Sequence, residues 1–258
     1  MPPLPIAAAV RPVVLALAPP APGLGGGPQS PCLAPLGGSR LLERLLGTLA
    51  GQGLPTPLLV TGRSSGPALR AVLGARVPVH EVADGDRRAA LETALARTEE
   101  DLLLVHDAER ALTPAATVGA VLEAMAEDAD ASVDAVVPVV AMTDSVKQVL
   151  PAGLRNIDRS TLAGLQSPRL LRRAALTEAI AAPAVPADTA GRALGAPRLD
   201  LRRYDEITAA LAQGAQVRTV HGSHSGFAVE DRLSFWQAQI SLGLARDTSH
   251  RHGLARRG

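Results

Sequence analysis

A chain of 258 residues is long enough to bury a full hydrophobic core, and we predict one α/β domain over residues 1–243. With 47% hydrophobic residues and a net charge of +1, the composition excludes a disordered chain and gives no basic surface for nucleic acid. No apolar run is long enough to span a bilayer and the start of the chain does not resemble a signal peptide, so we predict a cytoplasmic protein without a membrane partner.

Residues 13–18 are predicted to form the first buried strand, and residues 19–38 after it are rich in Gly and Pro and contain no charged residue. A glycine-rich loop after a first strand can bind phosphate through backbone N–H groups, so Gly23 and Gly25 are candidate nucleotide-binding residues. The chain has no complete P-loop motif, and a surface loop that binds nothing explains the same composition. The sequence therefore leaves both interpretations of the loop open.

The next elements alternate between helices and strands. Leucines at helical spacing predict a first helix over residues 39–49. The turn of Asp84, Gly85 and Asp86 precedes another predicted helix, and Gly85 is a third candidate nucleotide-binding residue. The other predicted elements of this half are a strand at 58–61, a helix at 67–73, a strand at 77–82 and a helix at 87–97. This order predicts a mainly parallel sheet with helices on both faces.

Residues 102–114 begin with four apolar residues, which predict a buried parallel strand, and continue with His106, Asp107, Glu109 and Arg110. An open α/β sheet binds ligands at the carboxyl ends of its strands, so this polar group is a candidate site. The alternative is an ordinary charged turn that ends the strand before the next helix.

The second half of the chain is predicted to contain a protruding hairpin. Polar segments on both sides of Pro151 and Gly153 predict an arm at about residues 143–168, which could pair with another subunit. The other predicted elements are helices at 114–127, 170–180, 205–212 and 230–242, strands at 135–140 and 216–220, and a loop at 181–197. Residues 244–258 are predicted to form a flexible basic tail.

Three segments resemble one enzyme family: VHDAERALTP at 105–114, AVVPVVAMTDSVKQV at 135–149 and NIDRSTLAGLQSPRLL at 156–171. They are similar to motifs of the 2-C-methyl-D-erythritol 4-phosphate cytidylyltransferases, and the order of the motifs holds from about residue 13 to residue 242. The resemblance implies a nucleotidyltransferase (Rossmann-like) α/β fold, with a mainly parallel twisted sheet, helices on both faces and a protruding β-arm. It also implies a Mg²⁺-assisted attack of methylerythritol phosphate on the α-phosphate of CTP, release of pyrophosphate, and a homodimer through the β-arm.

The resemblance also assigns residues to roles. Asp107 and Arg110 match the aspartate and arginine of the family's V-H-D-A-A-R-P, which makes them the catalytic residues and makes Asp107 the metal ligand as well. Ser145, Arg159 and Ser167 are the substrate-binding residues by the same comparison. In the family, the last two of these positions contact phosphate from the arm of the second subunit.

The nucleotide side departs from the family pattern. The family's first loop carries an arginine and then a lysine in P-K, whereas residues 19–38 contain neither, and residues 31–32 are Pro-Cys. The lysine of the family's N-x-K falls on Ala228, and Glu109 lies where the family has alanine. Phosphoryl transfer depends on placed cations, so we predict a divergent cytidylyltransferase with weak or lost activity. The alternatives are a catalytically silent binding or regulatory dimer, and a nucleotidyltransferase for another substrate, for which Glu109 and Tyr204 are the first residues to test.

Overall fold

The computed structural model describes residues 5–24, 29–128, 131–143, 145–151, 153–182, 192–193 and 204–243. The predicted tail at 244–258 and most of the predicted loop at 181–197 lie outside these residues. The strands are β1 (Val10–Ala16), β2 (Pro35–Leu36), β3 (Ser39–Arg40), β4 (Leu58–Gly62), β5 (Val79–Val82), β6 (Leu102–Asp107), β7 (Ala135–Ala141), β8 (Val146–Leu150), β9 (Gly153–Ile157), β10 (Ala163–Leu165), β11 (Arg169–Arg172), β12 (Arg192–Ala193) and β13 (Val217–His221). The α-helices are α1 (Leu41–Gly51), α2 (Gly66–Leu73), α3 (Arg87–Arg97), α4 (Ala115–Ala126), α5 (Arg173–Ala181), α6 (Glu206–Ala212) and α7 (Arg232–Ser241).

Eight of the described strands form one sheet with β1 near its centre. β4 and then β5 lie on one side of β1, and β6, β11 and β7 follow on the other side, with β10 and β13 also paired to β7. β1, β4, β5 and β6 are parallel, as are β7 and β13, whereas β10 and β11 run antiparallel to their neighbours. The predicted α/β fold with a mainly parallel sheet is therefore confirmed.

Side chains of the central strand alternate between two hydrophobic layers, as strand geometry requires. Val10 and Val14 pack into the layer that contains α1, α2, α4 and α7, and Val13 and Leu15 pack into the layer that contains α3, α5 and α6. All four side chains are buried, because helices cover both faces of the sheet. None of the helices in the described ranges is both long and apolar enough to cross a membrane.

The sequence prediction was wrong at residues 169–172. The helix predicted over residues 170–180 begins at Arg173, and Leu170 and Leu171 belong to β11, which lies antiparallel between β6 and β7. A short apolar run fits a buried strand and the first turn of a helix equally well. The strand is favoured here because its two leucines point to opposite faces and fill both hydrophobic layers.

A second sheet of three short strands lies in the region of the predicted arm. β8 and β9 pair as an antiparallel hairpin, and β12 pairs with the other edge of β8. Two leucines of this hairpin, Leu150 and Leu154, are exposed.

Candidate functional site

β5 and β6 follow each other among the strands of this sheet along the chain but lie on opposite sides of β1. The order of the strands therefore reverses at the carboxyl ends of β1 and β6. Open α/β sheets bind ligands in the crevice at such a reversal. A cavity of about 600 Å³ lies at this edge of the sheet. Its walls are residues 17–19 after β1, Gly62, Ser64 and Ser65 at and after the end of β4, residues 83–86 between β5 and α3, the first two residues of α3, and Tyr204 before α6.

Two of the three candidate nucleotide-binding glycines lie in backbone conformations that favour glycine. Gly85 lies in the wall of the cavity with φ of +74°, and Gly23 has φ of +79°. A Cβ atom on Gly23 would lie 3.6 Å from Cδ of Arg232 at the start of α7. Gly25 lies outside the described residues. The positive φ angles of these turns therefore explain why glycine stands at positions 23 and 85, whether or not a nucleotide binds.

Asp107, the last residue of β6, is held by side chains from two other segments. Arg87, the first residue of α3, donates from Nη1 to Oδ1 of Asp107, and Ser167 donates from Oγ to Oδ2 at 2.5 Å. Burial opposes ionisation of Asp107, but the charges of Arg87 and Arg169 and the bond from Ser167 hold its pKa well below the usual range. Asp107 is therefore an ionised carboxylate with both oxygens engaged.

Arg87 also joins Asp107 to a fully buried carboxylate at the start of α6. Nε and Nη2 of Arg87 donate to the two oxygens of Glu206, each at 2.7 Å. Nη1 of Arg169 lies 2.9 Å from Oε1 of Glu206 and 2.6 Å from Oδ2 of Asp205. Burial opposes ionisation of Glu206, but Arg169 and Arg87 lower its pKa to about 2. Because a planar guanidinium binds a carboxylate through two parallel bonds, this network fixes α3 and α6 against the end of β6.

Glu109 is buried beside the end of β1. The residue is 6% exposed, and its Oε1 accepts the backbone N–H of Ala18 at 3.0 Å. Its backbone carbonyl accepts the N–H of Val229 at 2.7 Å, so the main chain is held from the other side. Burial and then the charge of Asp107 raise the pKa of Glu109 to about 7, although the bond from Ala18 acts in the opposite direction. An acidic side chain therefore holds the amide from which the glycine-rich loop departs.

Arg110 ends a single 3₁₀ turn, Ala108–Arg110, that follows β6 directly. Its Nη1 donates to the carbonyl of Gly226 at 2.7 Å, which lies in the segment between β13 and α7. Burial lowers the pKa of Arg110, although the charge of Asp107 acts in the opposite direction. The turn thus brings the two predicted catalytic residues to the same end of the sheet.

The three predicted substrate-binding residues lie in different surroundings. In the described part of the chain, Ser167 alone among them contacts Asp107. Ser145 and Arg159 are exposed in the arm region, and Nη1 of Arg159 donates to the carbonyl of Thr143 at 2.6 Å. Whether the arm of a second subunit completes the site stays a prediction.

The side chain that the resemblance aligns with the family's loop lysine is neutral. Cys32 is fully buried, and burial raises the pKa of its thiol to about 12. The arginines that follow the loop are already bound, since Arg44 donates to the carbonyl of Leu36 at 2.8 Å and Arg40 lies 3.5 Å from Glu43. The described part of the loop therefore presents no cation of its own.

Sequence reasoning missed the three residues that carry most of the ion pairs at the site, Arg87, Arg169 and Glu206. A signal existed for two of them, because Arg87 begins the segment that matches the family's R-x-x-S-V and Glu206 lies in the segment that matches its T-D-D motif. Neither motif names a partner, and Arg87 and Glu206 are 119 positions apart.

The residues at the site do not fit a protein-held Mg²⁺ as they are placed. Mg²⁺ requires nearly octahedral oxygen ligands, usually one or two carboxylates together with substrate phosphates and water. The predicted ligand is Asp107, whose two oxygens already bind Arg87 and Ser167. The described residues contain no group of three or more His, Cys, Asp and Glu side chains that could hold a metal ion. A metal ion at Asp107 would have to share each carboxylate oxygen with Arg87 or Ser167.

Comparison with known sequences gives a match to the family model of 2-C-methyl-D-erythritol 4-phosphate cytidylyltransferase over residues 29–244. The chain is 32% identical over 238 residues to the bifunctional enzyme IspD/IspF of Anaeromyxobacter dehalogenans, which covers 86% of this chain and 56% of that protein. It is 36% identical over 160 residues to the 2-C-methyl-D-erythritol 4-phosphate cytidylyltransferase of Saccharopolyspora erythraea, which covers 58% of this chain and 70% of that protein. The chain spans about half the length of the bifunctional relatives that it matches.

Solved structures share the fold. The 4-diphosphocytidyl-2C-methyl-D-erythritol synthase of Anaerococcus prevotii superposes with a TM-score of 0.68 at 15% identity, over 92% of this chain and 97% of that chain. The 2-C-methyl-D-erythritol 4-phosphate cytidylyltransferase of Thermus thermophilus superposes with a TM-score of 0.62 at 22% identity, over 89% of this chain and 97% of that chain. These superpositions establish an α/β nucleotidyltransferase-like fold, and the sequence matches establish the family. The chain belongs to the 2-C-methyl-D-erythritol 4-phosphate cytidylyltransferase family.

Proposed function

We propose that this chain is a divergent family member in which transfer of a cytidylyl group from CTP to methylerythritol phosphate is weak or lost. The observation that carries the proposal is the loop after β1, because residues 19–38 contain no lysine or arginine. In-line transfer at a phosphate develops charge that placed cations must stabilise, and loss of one placed donor commonly lowers the rate about 10²-fold to 10³-fold. By resemblance to the family, three such cations are missing here, two in the loop and one at Ala228.

The charges around Asp107 support the same proposal. Asp107 is ionised at the centre of the site, and the guanidinium groups of Arg87 and Arg169 are already bound to carboxylates. Each phosphate group that enters adds negative charge, and the charges of Arg87 and Arg169 are already balanced by carboxylates, although both guanidinium groups still have N–H donors to offer. A CTP molecule would bring Mg²⁺ on its own phosphate oxygens, and that cation would neutralise part of this charge.

The acceptor side of the site is better preserved. Arg110 and Ser167 lie at the end of the sheet beside Asp107 of the same chain, although the resemblance assigns the position of Ser167 to the arm of a second subunit. Arg110 uses one nitrogen on the carbonyl of Gly226, and a guanidinium has further N–H groups to offer a phosphate. We therefore infer that a methylerythritol phosphate or a similar sugar-alcohol phosphate remains a possible ligand.

A second candidate function is an active cytidylyltransferase with a remodelled triphosphate site, and the position of Arg232 favours it. Arg232 is exposed at the start of α7, and its side chain runs past Gly23 of the loop. Its guanidinium lies over the ring of Trp236, 4.7 Å from the ring centre, where it is worth only about 1 kcal/mol. A rotation of this side chain toward the loop would supply one cation.

Calorimetry with CTP and MgCl₂, together with a pyrophosphate-release assay with methylerythritol phosphate, tests the proposal. We expect no saturable binding up to millimolar CTP and a rate of pyrophosphate release at least 10²-fold below that of a family member assayed in parallel. Turnover at the rate of that reference enzyme would contradict the proposal and support the remodelled site. In that case Arg232→Ala should lower the rate, whereas Arg97→Ala, which removes an exposed arginine at the far end of α3, should not.

The homodimer is part of this proposal. The hairpin of β8 and β9 exposes Leu150 and Leu154, which are 39% and 62% accessible, and exposed leucines on a hairpin suit pairing with another copy. Sedimentation of the wild type and of Leu154→Asp tests this, because a dimer held by the arm should dissociate in the variant.

A further inference from the structure

We propose that the carboxylate of Glu109 is an internal ligand of the anion site at the end of β1, and that it excludes phosphate from this site. The inference deepens the function proposed above and rests on it, since it names the group that closes the nucleotide side. It concerns a residue that replaces the family's alanine.

The donor in question is the backbone N–H of Ala18. Ala18 lies in the wall of the 600 Å³ cavity, at the point where the chain leaves β1 for the glycine-rich loop. Backbone N–H groups in this place are the usual donors to phosphate in nucleotide-binding α/β folds. Here the donor already serves Oε1 of Glu109 at 3.0 Å, within buried surroundings. A phosphate oxygen can take this donor only after the carboxylate has left it.

Glu109 is fixed in this position by contacts on both sides. The turn that carries it follows β6 directly, and its backbone carbonyl binds the N–H of Val229. Because the main chain is held while the side chain reaches Ala18, the carboxylate is preorganised to compete with an external anion. A preorganised internal ligand loses little entropy on binding, so it competes effectively.

The charged groups around Glu109 add repulsion to this competition. Asp107 on β6 and Glu230 before α7 both raise its pKa, and the thiol of Cys32, from the segment after the loop, is neutral. Arg110 interacts electrostatically with Glu109, but its guanidinium already donates a hydrogen bond to the backbone carbonyl of Gly226. An incoming phosphate therefore meets a region whose acidic groups exceed its free cations.

Titration calorimetry of the full chain with sodium tripolyphosphate tests the inference without CTP or an acceptor. We expect Glu109→Ala to bind tripolyphosphate at least tenfold more tightly than the wild type at pH 8. The probe's own protonation cancels because the two proteins are compared at the same pH. Glu230→Ala is the matched control: it removes a negative charge from the same neighbourhood and leaves the bond to Ala18 intact, so it should stay within threefold of the wild type.

Two results would overturn the inference: no gain in Glu109→Ala at pH 8, or an equal gain in Glu230→Ala. If Glu109→Ala does not unfold cooperatively, Glu109→Ser replaces it, because a serine side chain is too short to reach the N–H of Ala18, and the same gain is expected. The outcome is separate from that of the CTP assay. Turnover by the wild type would defeat the proposed loss of activity, whereas the tripolyphosphate comparison alone decides the role of Glu109.

Discussion

Replacement of Glu109 by glutamine should stabilise the protein relative to the wild type, and this gain should be larger at pH 8 than at pH 5. Glutamine keeps the length of the side chain and an oxygen that accepts the N–H of Ala18, but it cannot ionise. The wild-type side chain is only 6% exposed, so the folded state must hold an ionised carboxylate away from water whenever the solution pH forces it to ionise.

The size of the effect follows from the pKa in the two states. The pKa of Glu109 is 4.5 in an ordinary setting and about 7 in the folded protein, raised first by burial and then by Asp107. Between these values the folded state holds a proton that the unfolded state has released, so the free energy of unfolding falls as pH rises through this window. Integration from pH 5 to pH 8 gives a loss of about 2.5 kcal/mol in the wild type, which the glutamine variant does not undergo.

Urea unfolding of both proteins at pH 5 and pH 8 measures the difference, and the other titrating groups cancel in the comparison. The variant should gain about 2.5 kcal/mol over the wild type on going from pH 5 to pH 8. Glu123→Gln, on the exposed face of α4, is the control and should show no such change. An equal difference between variant and wild type at both pH values would mean that Glu109 titrates normally in the folded state, and the reasoning about its burial would fail.

Three further outcomes follow from the contacts at the site. Arg87→Met should lower the free energy of unfolding by about 3–5 kcal/mol in urea titrations, because it leaves two carboxylates at the site without this cation, whereas Arg40→Met, which breaks an exposed ion pair with Glu43, should cost less than about 1 kcal/mol. Ser167→Ala should cost about 1–3 kcal/mol by the same method, because it removes a hydroxyl bond to Asp107, and Ser167→Thr should retain most of the stability; equal losses in both would contradict the assigned bond. Arg110→Ala should abolish any pyrophosphate release that the wild type shows above a blank, and an unchanged rate would refute its catalytic role.

Local patterns were sufficient for most of the helices and strands. The turn before Arg87 and the apolar spacing after it predict α3 with the bounds that the structure has, Arg87–Arg97. The bounds of α4 differ slightly from the predicted 114–127, since Pro114 is the residue before the helix and the helix ends at Ala126. Such shifts of one residue are expected, because the backbone of a helix end is decided by local bonds that several residues can make.

Contacts between distant segments were beyond the sequence. Glu109 is predicted from its neighbours as one charge of a polar turn, yet it is buried because the end of β1 passes beside it and offers the N–H of Ala18. Arg169 directly precedes the helix predicted over residues 170–180, yet β11 brings it to two acidic residues at the start of α6. In both cases the residue type was visible, but the partner is set by the pairing of strands that are remote in sequence.

The charge balance at the site indicates a second difference from the family pattern, in addition to the absence of cations from the loop at residues 19–38. Three carboxylates, Asp107, Asp205 and Glu206, share two guanidinium groups in one connected network, so this network has an excess of one negative charge before any ligand arrives. Glu109 adds to this excess as pH rises through its pKa of about 7, and it occupies the amide that a phosphate would need. Positive charge returned to the loop would therefore be offset in part by the acidic groups behind it, since Coulomb interactions over such short distances in a poorly hydrated site are worth several kcal/mol. Under the function that we propose, recovery of triphosphate binding would require both the return of cations to the loop and the removal of the carboxylate at the end of β1.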